Sequence, residues 1–114
     1  MRMVVEDEHY YNNCYLIVND IVQFERVCMV DEYKFDNKTY AKLRKLYENL
    51  PSYMGNEISF PCWFGDKESG DKYFITVSFE TSGLQFWGEL PFSDFLQWEN
   101  KLNELIREFP FKHH

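Results

Sequence analysis

Few residues in this chain could do chemistry: Cys14, Cys28 and Cys62, one internal imidazole at His9, and carboxylates scattered along its length. A thiol nucleophile needs a base within hydrogen-bond reach to generate the thiolate. His9, in the polar stretch MRMVVEDEH, is the one candidate base, and each Cys sits in an apolar, strand-like run. No CxxC occurs and no His stands at ligand spacing from a Cys. Free thiols buried in a reducing compartment are therefore expected, not a disulfide framework or a zinc site. There is no GxGxxG, P-loop, HExxH or GxSxG, and no carboxylate pair is set apart by its spacing. No catalytic residue, metal or cofactor is assigned. The expectation is a protein that binds and does not turn over a substrate.

Composition narrows what it could bind. A chain of 114 residues is one domain by size. Apolar residues make up 45% and aromatics 19%, with 11 Phe, 8 Tyr and 3 Trp, more than disordered chains carry. Twelve basic against 19 acidic residues give a formal −7. That charge repels a phosphate backbone and favours encounter with a basic protein. No apolar run approaches the ~18 residues of a membrane span, and the N-terminus lacks the apolar core of a signal peptide, so a cytoplasmic location is expected. His113 and His114 read as the start of a purification tag, leaving 1–112 as a single globular domain.

The elements that must position any site follow from periodicity. The run CYLIVNDIVQFERVCMV reads as strands 14–18 and 21–30 around an Asn19-Asp20 turn. FDNKTYAKLRKLYENLP is a helix with Asp36 as N-cap, Phe35 and Tyr40 as a hydrophobic staple and Pro51 as its stop. Its inner face is Tyr40, Leu43, Leu46, Tyr47 and Leu50, with Lys38, Lys42 and Lys45 solvated on the opposite side. Strands over 57–64, 72–79 and 84–90 come next, and a helix from Asp94 to about Phe109 with Ser93 as N-cap closes the chain. On that helix Trp98 lies at the edge of the apolar stripe. Glu99 projects near the stripe's middle, where a carboxylate needs an explanation. The helix end is expected to overhang the sheet there, with a paired cation as the other solution. The order is ββαβββα: an α+β domain with an antiparallel sheet of about five strands and helices packed on one face.

Alternation then defines the other face of the sheet. Ile58, Phe60, Cys62 and Phe64 share one side of their strand, as do Tyr73, Ile75, Val77 and Phe79, and Leu84, Phe86 and Leu90. If these meet the helices, Trp63, Phe74 and Glu89 form one outward row and Pro61, Thr76 and Trp87 the next. Pro61 would place its strand at an edge or a bulge. The candidate partner-binding residues are therefore Trp63, Phe74 and Trp87, rimmed by the carboxylates Glu80 and Glu89. Covered by the N-terminal segment or the first helix, the same aromatics would form a second small core.

The stretch YFITVSFETSGLQFWGELPFSDFLQWENKLNELI is a hairpin, a Gly-hydrophobic-Pro joint and a helix opening with Ser-Asp. It resembles the C-terminal half of small bacterial immunity proteins, including those paired with contact-dependent growth-inhibition toxins. The resemblance covers about a third of the chain. It implies a cytoplasmic antitoxin that binds and neutralises a toxin domain. The acidic charge adds that the domain is basic and that nucleic acid is not bound directly, and with no membrane-length apolar run no membrane role is expected. Two rivals come from other classes. One is a phage or host protein that inhibits a basic nucleic-acid-binding partner, which would need carboxylates in a continuous rail. The other is a small enzyme or ligand-binding domain, which would need a deep pocket at Glu99 or His9.

Overall fold

The computed structural model describes residues 2–7, 10–54, 61–80 and 83–110, with side chains for 15–54, 61–79 and 83–110. His9, Glu57, Ile58, Ser59, Phe60 and the C-terminal His113 and His114 lie outside the described residues, as does the side chain of Cys14. The strands are β1 (Arg2–Asp7), β2 (Tyr10–Val18), β3 (Ile21–Cys28), β4 (Tyr53–Met54), β5 (Cys62–Trp63), β6 (Phe74–Glu80) and β7 (Gly83–Pro91). The helices are α1 (Asn37–Asn49), between β3 and β4, and α2 (Phe92–Ile106), after β7. All strands join one antiparallel sheet in the order β1-β2-β3-β7-β6-β5-β4. The α+β class holds, with seven paired strands in place of about five; β1 and the two-residue β4 are the additions.

Local signals explain the long elements. Asn19 and Asp20 both take left-handed φ, 51° and 63°, as a two-residue hairpin turn requires. Asp36 caps α1 through a 2.8 Å bond accepted from the Thr39 N–H, and the Phe35 and Tyr40 rings meet at 5.2 Å as the staple. The second helix differs from expectation at both ends. It starts at Phe92, directly after Pro91, without a side-chain cap, and passes into turns after Ile106.

Both helices pack on the same face of the sheet. Leu43 and Leu46 from the first helix and its C-cap residue Leu50 join Phe95, Trp98, Leu102 and Ile106 from the second in one cluster with Val22, Phe24, Ile75, Val77, Leu84, Phe86 and Leu90. Trp98 is fully buried, with its ring 5.2 Å from Phe86 and 5.8 Å from Phe24. The first helix therefore does not cover the outer face, and β1 lies at the sheet's edge beside β2.

Trp63 requires a correction. It stands opposite Ile75, not Phe74, and is fully buried in the core. Its indole N–H donates to the Tyr47 carbonyl at 2.9 Å, and its ring lies 5.7 Å from Trp98. A shift of one residue in pairing turns every side chain of a strand to the other face. The shift arises where the chain leaves the sheet. Phe64 adopts a left-handed φ of 68° and donates its N–H to Ser52, and the turn over Lys67–Ser69 follows. Nor is β5 an edge: β4 flanks it, and Pro61 precedes it, its carbonyl accepting from the Thr76 hydroxyl at 3.2 Å.

Glu99 is a second correction. It lies under the covered surface, paired with Arg26 at 2.5 Å, with side-chain exposures of 16% and 5%. Arg26 sits on the inward parity of β3 with Val22, Phe24 and Cys28, so its guanidinium points at α2. The Tyr15 hydroxyl also donates to Glu99, and Arg26 donates to Asn103 at 2.7 Å. This polar network is enclosed between β2, β3 and α2, where each charge answers the other.

Candidate functional site

Outward positions follow from the same ladders. Leu16, Gln23, Glu89 and Phe74 form one row across β2, β3, β7 and β6. Glu25, Trp87, Thr76 and Cys62 form the next, across β3, β7, β6 and β5. Directly opposed side chains in such rows have Cβ atoms about 5 Å apart. The expected pairs Phe74–Glu89 and Thr76–Trp87 are present as read from the sequence.

Together these residues shape a shallow open groove of about 570 Å3. Its outward-pointing side chains are Leu16, Gln23, Glu25, Phe74, Trp87 and Glu89. Trp87 also borders a smaller depression of about 170 Å3, shared with Cys62, Lys67 and Thr76. Apolar surface continues from the groove at Leu16, 41% exposed, and Val18, 55% exposed. Trp87 and Phe74 are half-buried.

Of the residues singled out from sequence, the structure brings Phe74, Trp87 and Glu89 together. It takes Trp63 away to the core. Glu80 pairs with Gly83 at the far end of the hairpin, four positions along β6 from Thr76, or about 13 Å. Leu16, Val18, Gln23 and Glu25 were missed. The signal was present: they share the alternating outward parity of the first hairpin, which aligns with the second once β3 is placed beside β7.

The electrostatics of the groove are one-sided. Glu25 and Glu89 lie diagonally about Trp87, Glu25 across the ladder from it and Glu89 two residues along the same strand. Gln23 donates to Glu89 Oε1 at 3.2 Å, and among the described residues no cationic side chain lines the groove. On the neighbouring depression, Lys67 stands 5.8 Å from the Phe74 ring centre. Thiol chemistry has no support at Cys62, whose pKa is raised by burial, with Asp66 and Asp71 adding to the effect. Cys28 is enclosed, and burial pushes its thiol up to about 12, offset only in part by Arg26. Among the described residues no group of His, Cys, Asp and Glu could hold a metal ion, and no helix is long and apolar enough to cross a membrane.

No known protein family, curated protein or solved structure matches the chain. The functional argument therefore rests on the groove itself. Aromatic faces beside unpaired carboxylates attract a cation and bury apolar surface at the same time. A protein surface rich in Arg and Lys offers both.

Proposed function

We propose that the protein is a protein-binding module of the immunity type, which docks a basic toxin domain on the outer face of its sheet and thereby blocks it. The observation that carries this reading is the groove around Trp87. It combines half-buried aromatics, the exposed aliphatic side chains of Leu16 and Val18, and the carboxylates of Glu25 and Glu89 on the face opposite the helices. Interface cores have this composition, with aromatics in the centre and charges at the rim. The formal −7 supports the choice of a basic partner by favouring the encounter. The carboxylates on this face alternate with aromatics and do not form a rail, which weighs against nucleic-acid mimicry.

Coexpression tests the reading. The protein should protect cells from a toxic domain encoded beside its gene, and the purified pair should form a stable complex. A neighbouring toxin that kills unimpeded and does not bind would remove the immunity function.

A further inference from the structure

The groove has a finer chemistry than a general basic partner requires. Trp87 is neighboured by two carboxylates on the same face, Glu25 across the β3–β7 ladder and Glu89 along β7. Among the described residues neither carboxylate is in an ion pair; the pairs found join Arg26 with Glu99, Lys34 with Asp31, Lys42 with Glu108 and Lys101 with Glu104. Gln23 donates to Oε1 of Glu89 across the β3–β7 ladder. Three of the chain's lysines rest on other aromatic rings, Lys42 on Phe109, Lys67 on Phe74 and Lys72 on Tyr73, and among the described residues no cation rests on Trp87. The indole thus has two anionic neighbours and, among the described residues, no cation on its ring; Lys67, over Phe74, lines only the adjoining depression.

We propose that this groove is a receptor for one arginine side chain of the partner, its guanidinium lying on the Trp87 ring with its N–H edges donating to Glu25 and Glu89. The proposal rests on the docking face argued above and names what that face recognises. Arginine fits better than lysine for three reasons. A planar guanidinium stacks on an indole, loses less hydration than an ammonium, and carries N–H donors on more than one edge. Two carboxylates placed diagonally about a ring can be met together by such a fork, whereas a single ammonium satisfies one well and the other poorly. The apolar strip at Leu16 would accept the methylene stem of the same side chain or its neighbour on the partner.

The experiment follows the three indole N–H signals of the 15N-labelled protein by NMR. Trp87→Phe assigns the Trp87 signal, and the buried Trp63 and Trp98 serve as internal references. The probes are capped Gly-Arg-Gly, Gly-Lys-Gly and Gly-citrulline-Gly peptides. The arginine peptide should move the Trp87 signal saturably, the lysine peptide should bind about tenfold more weakly, and the uncharged citrulline peptide should leave it in place. Glu25→Gln with Glu89→Gln should weaken the arginine response by about tenfold while the spectrum stays dispersed. A Trp87 signal that ignores the arginine peptide, responds equally to citrulline, or responds unchanged in the double variant would overturn the receptor. If the peptide fails but Trp87→Ala still abolishes the partner complex, the arginine receptor is wrong and the docking face stands. If the peptide binds as stated but the partner ignores Trp87→Ala, the groove binds arginine and the docking reading is wrong.

Discussion

Trp63 and Trp87 lie on opposite faces of one sheet, with a single strand between theirs: the first is enclosed beneath both helices, the second borders the open groove. Their truncations should therefore separate. Trp63→Ala removes a fully buried ring and leaves the Tyr47 carbonyl without its donor, which should cost about 3–5 kcal/mol of stability. Trp87→Ala should change stability far less. Urea denaturation of the two variants checks the ordering, and equal losses would place Trp87 in a second core.

Arg26 and Glu99 should behave as a unit. Arg26→Met alone leaves a largely buried carboxylate facing an apolar side chain, at about 3–5 kcal/mol. The combined Arg26→Met, Glu99→Leu variant should recover much of that loss, because an apolar pair of similar volume needs no compensation. A double-mutant cycle measures the coupling directly, and simple additivity would show that the pair contributes nothing specific.

These two relationships also show what the sequence could and could not convey. The alternation in 74–79 and 84–90 established the β6–β7 register and so the Phe74–Glu89 and Thr76–Trp87 pairs. Trp63 was misplaced because its register depends on the backbone turn at Phe64, a left-handed residue that carries no Gly or Asn to announce it. The partner of Glu99 was legible in principle. Arg26 breaks the apolar parity of β3 just as Glu99 breaks the stripe of α2, and two opposite charges in two inward faces call for each other. Recognising this needs β3 beside α2 in space, a non-local fact. The two-residue β4 is too short for any periodicity to appear.

Alkaline pH should destabilise the fold. The Cys28 thiol is held at about 12 against an ordinary value of 9.0, so above pH 9 the unfolded chain releases a proton that the folded chain retains. Stability is fully present below pH 9 and should fall by about 1.4 kcal/mol per pH unit as pH rises toward 12. Tyr47, raised by burial and then by its proximity to Cys28 and Tyr53, adds loss of the same sign above its ordinary value of 10.0. Denaturation at pH 8, 9 and 10 should show the decline, and Cys28→Ala should flatten its first part. An unchanged slope in that variant would assign the effect elsewhere.

Association with the basic partner proposed above should be steered by charge. The on-rate should fall steeply as salt rises through the physiological range, while the off-rate changes little. Stopped-flow mixing at several ionic strengths reads both. An on-rate indifferent to salt would mean that the formal −7 takes no part in the encounter.

The central claim is that the face around Trp87 holds the partner. Trp87→Ala, compared with wild type for partner affinity by calorimetry and for stability by thermal melting, tests it most directly. The account predicts a Tm close to wild type together with a loss of affinity of about thirtyfold or more, the signature of a central interface aromatic at ~2 kcal/mol. A folded Trp87→Ala protein that binds its partner with undiminished affinity would contradict it.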